Sequence, residues 1–393
     1  MLIKEKVEQA VNILNALGLD CWITFVRETA LNGDPILPFL VDGALTWHSA
    51  FIVSATGRKI AIVGKYDKRS VEDLDVYDQV IDFVEGFKKP FLEVMRTLNP
   101  RTIAVNFSKD SEICDGITHG MYVTLAGFLS EVGMQDRLVS AESVVSSLRQ
   151  RKSPYEIRQI TKAVRAAERI FVEVAGFIKP GRTEAEVASF MKKKVEDLGL
   201  ELAWDEKTCP SVFTGPDTAG AHYNPTKRVV KRGHILNIDF GVKVGGYCSD
   251  LQRTFYILRK GEKKAPADVQ KGFDTIVTSI EESKNAIRIG AKGVDIDNIA
   301  RKIIVSESYA EFPHGLGHQV GRFAHDGTAL LGPAWEKYGG KPFVPIEENM
   351  VFTIEPRLTV PERGIATIEE MVIVRKTGAE FLSRPQKKLI LIR

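Results

Sequence analysis

Two aspartates in an apolar, strand-like stretch have residue types and spacing suited to metal chemistry. Asp239 and Asp250 flank the turn sequence Val244-Gly245-Gly246 in HILNIDFGVKVGGYCSDLQRTF. If the turn is centred between Val244 and Gly245, the aspartates face each other directly, with Cβ atoms ~4.5–5.5 Å apart. Two carboxylates this close repel each other unless a cation, a proton or an arginine neutralises them. A solvated acidic pair is the alternative at this point.

Two glutamates near the C-terminal end of the sequence lie in similarly apolar runs. Glu355 occurs in MVFTIEPRL, and Glu369 occurs in GIATIEEMVIV. A solvated carboxylate has little reason to occupy such a run. Alternation along an extended chain places Thr367, Glu369 and Met371 on one face and Glu370 on the other. Glu370 is therefore expected to be exposed or to support the site from outside.

Histidines concentrate in the same half of the sequence. The chain has seven, and PHGLGHQVGRFAHDG contains His314, His318 and His325, while His222 lies in AGAHYNP. Glycines around them allow close approach of the backbone. An oxygen-rich donor set with imidazole and no thiolate favours Mn²⁺, Co²⁺ or Fe²⁺ over structural zinc. Bridging carboxylates suit a pair of such cations ~3.5–4 Å apart, and a two-metal site supports hydrolysis.

The motifs IDFGV, GYCSDLQRTF, HGLGHQVG followed by HD, FTIEP and TIEEM occur in this order over roughly residues 150–380. In them the sequence resembles the pita-bread metallopeptidases, which include Xaa-Pro dipeptidase (prolidase), aminopeptidase P and methionine aminopeptidase. Creatinase is a metal-free relative. The sequence is most similar to a divergent Xaa-Pro dipeptidase. Retained ligand positions argue against a creatinase-like amidinohydrolase.

The resemblance implies a role for each candidate ligand. Asp239 resembles the terminal ligand of one metal, and Asp250 and Glu369 resemble the bridging carboxylates. His318 resembles the imidazole ligand of the other metal. Glu355 resembles a carboxylate ligand that also carries a proton to and from the metal-bridging hydroxide. The cofactors implied are two divalent ions, with Mn²⁺ expected and Co²⁺, Fe²⁺ or Zn²⁺ as alternatives.

Further residues are implied to act on the substrate. His222 and His325 match histidines that hydrogen-bond the substrate and stabilise the tetrahedral intermediate, and His314 matches one lining the side of the leaving residue. The implied reaction is hydrolysis of the bond after an N-terminal residue, in short peptides with proline at the second position. One position departs from the pattern, because Thr367 stands where prolidases and aminopeptidases P commonly carry arginine.

Arginines near the ligands are candidates for recognising a substrate carboxylate. Arginine fits a carboxylate with two parallel hydrogen bonds. Arg357 follows Glu355 by two residues, and Arg322 lies between His318 and His325. We expect one of them to anchor the free carboxylate of an Xaa-Pro dipeptide, although each could equally be a surface arginine. An aminopeptidase P, which must leave this side open for longer peptides, and a non-catalytic pita-bread binding protein are the alternative functions.

Two regions of sequence must position these residues. Residues 1–150 alternate helical and strand-like patterns and resemble the creatinase/prolidase N-terminal domain, with SAFIVSA and KIAIVG predicted as a hairpin. This additional domain argues against a methionine aminopeptidase. Ser153 and Pro154 predict the first helix of a catalytic domain over residues 151–393.

A faint internal repeat lies in the second region. IKPGRTEAEVASFMKKKV from Ile178 aligns with IRIGAKGVDIDNIARKII from Ile287, and Thr183 with Glu186 forms a capping-box pattern in the first copy. The predicted fold is therefore α+β. We expect a pita-bread C-terminal domain with an internal pseudo-twofold repeat, preceded by a smaller α/β domain.

Composition narrows the setting of this chemistry. The 393 residues are 44% apolar and carry a net charge of +3. The sequence has no strongly basic block of the kind that indicates nucleic-acid binding. No apolar run reaches the ~18–20 residues of a membrane span. The charged N-terminal stretch lacks a signal-peptide core, and the four scattered cysteines are typical of a reduced, cytoplasmic protein. The family resemblance implies a homodimer.

Overall fold

The computed structural model describes residues 2–218 and 223–393. The chain divides into two compact units, Met1–Arg149 and Gln150–Arg393. Within the described residues, no helix combines the length and the apolar character needed to cross a bilayer.

The first unit is an α/β domain, as predicted. Its elements are α1 (Leu2–Leu17), β1 (Cys21–Val26), β2 (Ser49–Ser54), β3 (Lys59–Gly64), α2 (Lys68–Glu72), β4 (Gln79–Phe83), α3 (Lys88–Leu98), β5 (Ile103–Val105), α4 (His119–Ser130), β6 (Leu138–Ser140) and α5 (Glu142–Gln150). The strands form a sheet in the order β4-β3-β2-β1-β5-β6. The predicted hairpin is confirmed, because β2 and β3 pair antiparallel. Apolar residues of α3 and α4 pack with the strands in one core.

The second unit contains the candidate site residues. Its elements are α6 (Pro154–Phe177), α7 (Glu184–Asp197), β7 (Glu201–Leu202), β8 (Ser211–Thr214), β9 (Ile235–Phe240), β10 (Val242–Val244), β11 (Tyr247–Cys248), β12 (Leu251–Ile257), α8 (Ala267–Ala286), α9 (Gly293–Ser306), β13 (Val351–Ile354), β14 (Arg357–Val360), β15 (Gly364–Thr367), β16 (Glu370–Arg375), β17 (Gly378–Phe381) and β18 (Ile390–Ile392).

Short sheets meet in this unit rather than forming one long ladder. Among the described residues, the strand orders are β18-β12-β9-β8, β13-β16-β17, β11-β10-β7 and β14-β15. An isolated antiparallel bridge between Gln252 and Glu369 connects the first of these sheets to the C-terminal strands. The apolar faces of α8 and α9 pack against the strands and build the core below this junction.

The helix starts follow the sequence signals. Ser153 caps α6 with Pro154 in the first turn, and Thr183 caps α7, each within a complete capping box. In both halves a helix ends at an isoleucine cap and a new helix begins a few residues later, with Ile178 after α6 and Ile287 after α8. The pseudo-twofold relation between these halves stays a prediction.

The register of the β9–β12 hairpin differs from the expected one. Gly245 and Gly246 both have positive φ, at 56° and 78°, the conformation that a two-residue type I′ turn requires. The turn is therefore centred one residue later, and Val244 pairs with Tyr247. Asp239 consequently pairs with Gln252 rather than with Asp250. The expectation of directly opposed aspartates was wrong.

Candidate metal centre

Three of the candidate carboxylates lie in breaks between consecutive strands. Asp250 separates β11 from β12, Glu355 separates β13 from β14, and Glu369 separates β15 from β16. At each of the three breaks the chain passes from one sheet to another. Asp239 lies within β9, where it pairs with the residue two positions after Asp250. The junction of the sheets is therefore where the acidic side chains meet.

His318 reaches this junction on an extended segment that runs beside β13. The Thr353 backbone N–H donates to the His318 carbonyl at 2.9 Å, and the His318 N–H donates to Thr353 Oγ1 at 3.2 Å. Gly317 makes this approach feasible, since a Cβ at that position would lie 2.0 Å from the Thr353 carbonyl oxygen. The glycines of HGLGH thus serve close packing of backbone against backbone.

Three of the other four candidate ligands place a carboxylate oxygen close to the imidazole of His318. Its Nε2 atom lies 3.4 Å from Glu355 Oε1. The same atom lies 3.8 Å from Asp250 Oδ2 and 3.8 Å from Glu369 Oε1. Asp250, His318 and Glu369 each offer a ligand atom within 4.8 Å of the others. Asp239 is close enough for its pKa to be raised by the charge of Glu355.

Burial and mutual repulsion dominate the electrostatics of this cluster. Burial raises the pKa of Asp239, Asp250 and Glu369, and the neighbouring carboxylates raise each of them further. Burial acts in the same direction on Glu355, but a hydrogen bond from His318 and the nearby imidazoles hold its pKa below the ordinary value. Carboxylates held this close repel one another when they are ionised, and a bound cation would relieve that repulsion.

Two oxygens in the cluster are buried without any hydrogen bond in the described part of the chain. They are Asp239 Oδ1 and Glu369 Oε1. Buried carboxylates are ordinarily paired or bound to a metal, and buried polar atoms are nearly always satisfied. These orphaned oxygens therefore point to a group that completes the site.

The remaining histidines have separate positions. The rings of His325 and His318 meet edge to face, with centroids 4.1 Å apart, and His325 is exposed. His314 is half-buried, and it is close enough to Glu355 to affect the pKa of that residue. His222 lies outside the described residues.

The two candidate arginines are in different environments. The Arg322 guanidinium lies over the Tyr247 ring, 5.4 Å from its centroid, and hydrogen-bonds that side chain. Arg357 begins β14, is half-buried, and makes no hydrogen bond or ion pair through its side chain with the described residues. Burial lowers the pKa of Arg357. In the β14–β15 hairpin, Arg357 is the direct cross-strand partner of Thr367. The hairpin therefore has an arginine opposite the threonine, on the neighbouring strand.

Sequence reasoning missed Gln252, whose side chain lies among the acidic residues. It is 3% exposed, and its Nε2 donates to Glu355 Oε2 at 3.2 Å. It is also close enough to the Glu369 carboxylate to lower the pKa of that residue. Alternation from Asp250 along β12 would have placed Gln252 on the same face, so the signal was present in the strand pattern.

Glu370 is not exposed, although exposure was the first of the two alternatives expected for it from the sequence. It is 1% exposed and forms an ion pair with Arg253, whose Nη1 lies 3.1 Å from Glu370 Oε1. The Gln386 N–H donates to the same carboxylate at 2.8 Å. Arg253 also donates to the carbonyl oxygens of Gln252 and Glu369. Glu370 therefore supports the backbone of the site through Arg253, which is the second of the two expectations.

Residues 158–376 match the model of metallopeptidase family M24, which is more than half of the chain. The chain belongs to this family, and it has the family's pita-bread fold. A Mycoplasma genitalium protein provisionally named Xaa-Pro aminopeptidase is 29% identical, over 85% of this chain and 86% of its own. The fold is shared with an Xaa-Pro dipeptidase from Bacillus anthracis (TM-score 0.73, 20% identity, 99% and 100% of the chains). It is also shared with the X-Pro aminopeptidase from Thermotoga maritima (TM-score 0.71, 22% identity, 98% and 99%).

Membership of a metallopeptidase family implies divalent metal ions, and the residues present fit them. Carboxylate oxygens and an imidazole nitrogen are the donors that such ions accept. Asp250, His318 and Glu369 provide these donors in one group, in which the two carboxylates are buried and the imidazole is half-buried. The orphaned oxygens of Asp239 and Glu369 lie in the same cluster. Within the described residues, the site thus has the donor types and the unmet charge of a metal centre.

Proposed function

We propose that this metallopeptidase is a dinuclear Xaa-Pro dipeptidase that removes the residue preceding proline. The observation that carries the proposal is the convergence of the Asp250, His318 and Glu369 ligand atoms within 4.8 Å, with Asp239 and Glu355 beside them. Five donors of this kind exceed the needs of a single small cation that keeps places for water and substrate. The cluster therefore supports two divalent ions.

Each ligand has a distinct task in this proposal. Asp239 would hold one ion, and His318 with Glu355 would hold the other. Asp250 and Glu369 would bridge the two ions. When bound, divalent ions lower the pKa of water and polarise the scissile carbonyl.

Glu355 is the proposed proton carrier. Its Oε1 lies 3.4 Å from His318 Nε2, and its Oε2 is held by Gln252. Nearby imidazoles keep its pKa low, so it starts the reaction as a carboxylate. It would take a proton from the attacking water and deliver it to the leaving proline nitrogen, which must be protonated as the bond breaks.

Three histidines would handle the substrate. His325 is exposed and stands edge-on to the His318 ring, so it can donate to the carbonyl oxygen as negative charge develops there. His222 is assigned the same task from the family pattern. His314 would line the side of the leaving residue.

Arg357 is the better candidate for anchoring the carboxylate of the dipeptide. Arg322 already packs on Tyr247 and hydrogen-bonds it. Arg357 instead has a half-buried guanidinium with no hydrogen bond or ion pair in the described part of the chain. A partly desolvated arginine gains most from a ligand that forms two hydrogen bonds at once. The position directly after Glu355 and Pro356 keeps this charge in the vicinity of the ligands.

An aminopeptidase P that cleaves longer Xaa-Pro peptides is the second candidate. It is favoured by the provisional name of the Mycoplasma genitalium relative. The two functions differ in the demand on Arg357, because a longer peptide carries its carboxylate elsewhere.

A substrate panel after metal depletion and re-addition tests the proposal. Ala-Pro, Ala-Pro amide, Ala-Pro-Ala and Met-Ala are assayed with and without Mn²⁺. We expect metal-dependent cleavage that is fastest for Ala-Pro, and Arg357→Ala should raise KM for Ala-Pro about tenfold or more while leaving Ala-Pro amide unchanged. Arg322→Ala is the matched control. Faster cleavage of Ala-Pro-Ala than of Ala-Pro by the unmodified enzyme would establish the aminopeptidase P alternative instead.

We infer Mn²⁺ as the working metal, because the donors are mainly oxygen. A homodimer, which the family resemblance implies, and a cytoplasmic location, which the four scattered cysteines favour, complete the proposal. Metal analysis of the purified protein and analytical ultracentrifugation check these two points.

A further inference from the structure

Gln252 is a buried polar residue at the centre of the acidic cluster, and neither the family motifs nor the proposed ligand set gives it a task. Its backbone pairs with Glu369 in both directions, N–H to carbonyl at 3.4 Å and carbonyl to N–H at 3.2 Å. It is also the cross-strand partner of Asp239. One residue of β12 is thus tied to three of the acidic residues.

The side-chain amide has one consistent orientation. Nε2 donates to Glu355 Oε2 at 3.2 Å, and the amide is close enough to the Glu369 carboxylate to lower the pKa of that residue. The reversed amide would place its carbonyl oxygen against these carboxylates, where acceptor faces acceptor. The Gln252 Oε1 atom is buried without a hydrogen bond among the described residues. A glutamine placed for fold stability alone would ordinarily satisfy both ends, whereas this one donates to the Glu355 carboxylate and leaves its acceptor unmet.

The contact with Glu355 selects which oxygen faces the site. Gln252 occupies Oε2, while Oε1 of the same carboxylate lies 3.4 Å from His318 Nε2. The free oxygen is therefore directed at the imidazole with which Glu355 would share a metal. Loss of a residue that orients a ligand in this way typically weakens metal binding or activity by about 10–100-fold.

We propose that Gln252 is a positioning residue that fixes the orientation of Glu355, and with it Glu369, for metal binding and proton transfer. The proposal rests on the ligand assignment made under the proposed function. It predicts that Gln252 affects metal affinity and kcat, with little effect on KM for Ala-Pro.

The test uses Gln252→Met, which keeps the length of the side chain and removes both donors, together with Gln252→Ala. Binding of Mn²⁺ is measured by calorimetry on chelated, full-length protein, and kcat and KM are measured at saturating Mn²⁺. We expect both variants to bind Mn²⁺ about 10–100-fold more weakly and to lose kcat rather than raise KM. Gln386→Met is the matched control, because this buried amide bonds the Thr254 carbonyl at 2.7 Å and touches none of the proposed ligands; its Mn²⁺ affinity should stay unchanged.

Packing and positioning give different results in this set. Mn²⁺ affinity of Gln252→Met within threefold of the unmodified protein would show that the side chain only fills space, and would overturn the proposal. If Gln252→Met does not fold, Gln252→Asn serves instead, because its shorter side chain keeps the amide but withdraws it from Glu355, and it should also bind Mn²⁺ weakly. Glu355→Gln tests the ligand assignment separately from the role of Gln252. Full Mn²⁺ binding by Glu355→Gln would contradict the ligand assignment, whereas its loss beside normal binding by Gln252→Met would contradict only the role of Gln252.

Discussion

Glu369 and Glu370 are neighbours in sequence, and both are 1% exposed, yet their side chains have opposite electrostatic surroundings. Burial raises the pKa of each. For Glu370 the ion pair with Arg253 and further hydrogen bonds oppose this effect. For Glu369 the carboxylates of Asp250, Glu355 and Asp239 reinforce it. The charge of Glu370 is balanced by Arg253, whereas Glu369 keeps a buried oxygen that has no hydrogen bond in the described part of the chain.

The difference separates the supporting structure of the site from its chemistry. Arg253 pairs with Glu370 and also donates to the carbonyl oxygens of Gln252 and Glu369. The satisfied pair thereby fixes the backbone that presents the unsatisfied carboxylate. Unmet negative charge held on a rigid backbone is a preorganised cation site, because the fold rather than the metal has met the cost of bringing the carboxylates together.

The largest effect should come from removing the unsatisfied charge. Glu369→Gln, or Asp250→Asn, removes one anion from the proposed bridge and leaves the repulsion between two cations poorly screened. Because a metal centre supplies several kcal/mol of transition-state stabilisation, kcat/KM for Ala-Pro should fall by on the order of a thousandfold. Metal analysis should show the loss of at least one ion. Near-normal turnover with full metal content would remove the basis for the ligand assignment.

Glu370→Gln should change stability instead of metal content. The substitution leaves the Arg253 guanidinium buried beside a neutral amide, and breaking a buried pair costs about 3–5 kcal/mol. Urea unfolding of the metal-loaded protein measures this loss. The metal stoichiometry should match that of the unmodified protein. A variant that lost metal without losing stability would show that Glu370, and not Glu369, is the functional glutamate.

The histidines extend the comparison from ligands to substrate contacts. His318→Ala should lose metal and activity together, because its Nε2 lies at the centre of the carboxylates. His325→Ala should keep its metal and lose about 10²–10³-fold in kcat, the usual effect of removing one donor to a developing oxyanion. Metal content and kcat are measured side by side. Equal retention of metal in both variants would argue against His318 as the ligand.

The smallest effect concerns the chelated protein. The folded-state pKa of Asp250 and Glu369 is raised, so their contribution to stability is present below the ordinary carboxyl pKa and is lost as pH rises through the raised value. At neutral pH, Glu369→Gln should therefore stabilise the chelated protein by about 1–3 kcal/mol, the usual effect of an unmet buried group. Thermal unfolding in EDTA at pH 5 and pH 7.5 measures it. A variant less stable than the unmodified protein under both conditions would contradict the expectation that the buried carboxylates destabilise the chelated protein.

The sequence predicted much of this arrangement because the signals were local. The Ser153 and Thr183 capping boxes, the β2–β3 hairpin and the α/β first unit each depend on neighbouring residues. The acidic residues stood out because carboxylates in apolar runs need an explanation. The ligand roles came from the family resemblance and not from spacing.

One error came from a local turn signal, and the others arose where tertiary structure decides. The Gly245-Gly246 turn shifted the hairpin register, because two adjacent residues with positive φ can fill both central positions of a tight turn. Alternation could not show that Glu370 is buried, since its partner Arg253 belongs to a distant strand. The breaks at Glu355 and Glu369 also escaped prediction, because they occur where the chain changes sheets.

Five residues are proposed to hold two metal ions, and anomalous scattering from crystals of the Mn²⁺-loaded protein tests this proposal most directly. We expect two manganese peaks, both within the cluster of Asp239, Asp250, His318, Glu355 and Glu369. A single peak there, or manganese bound away from these side chains, would contradict it.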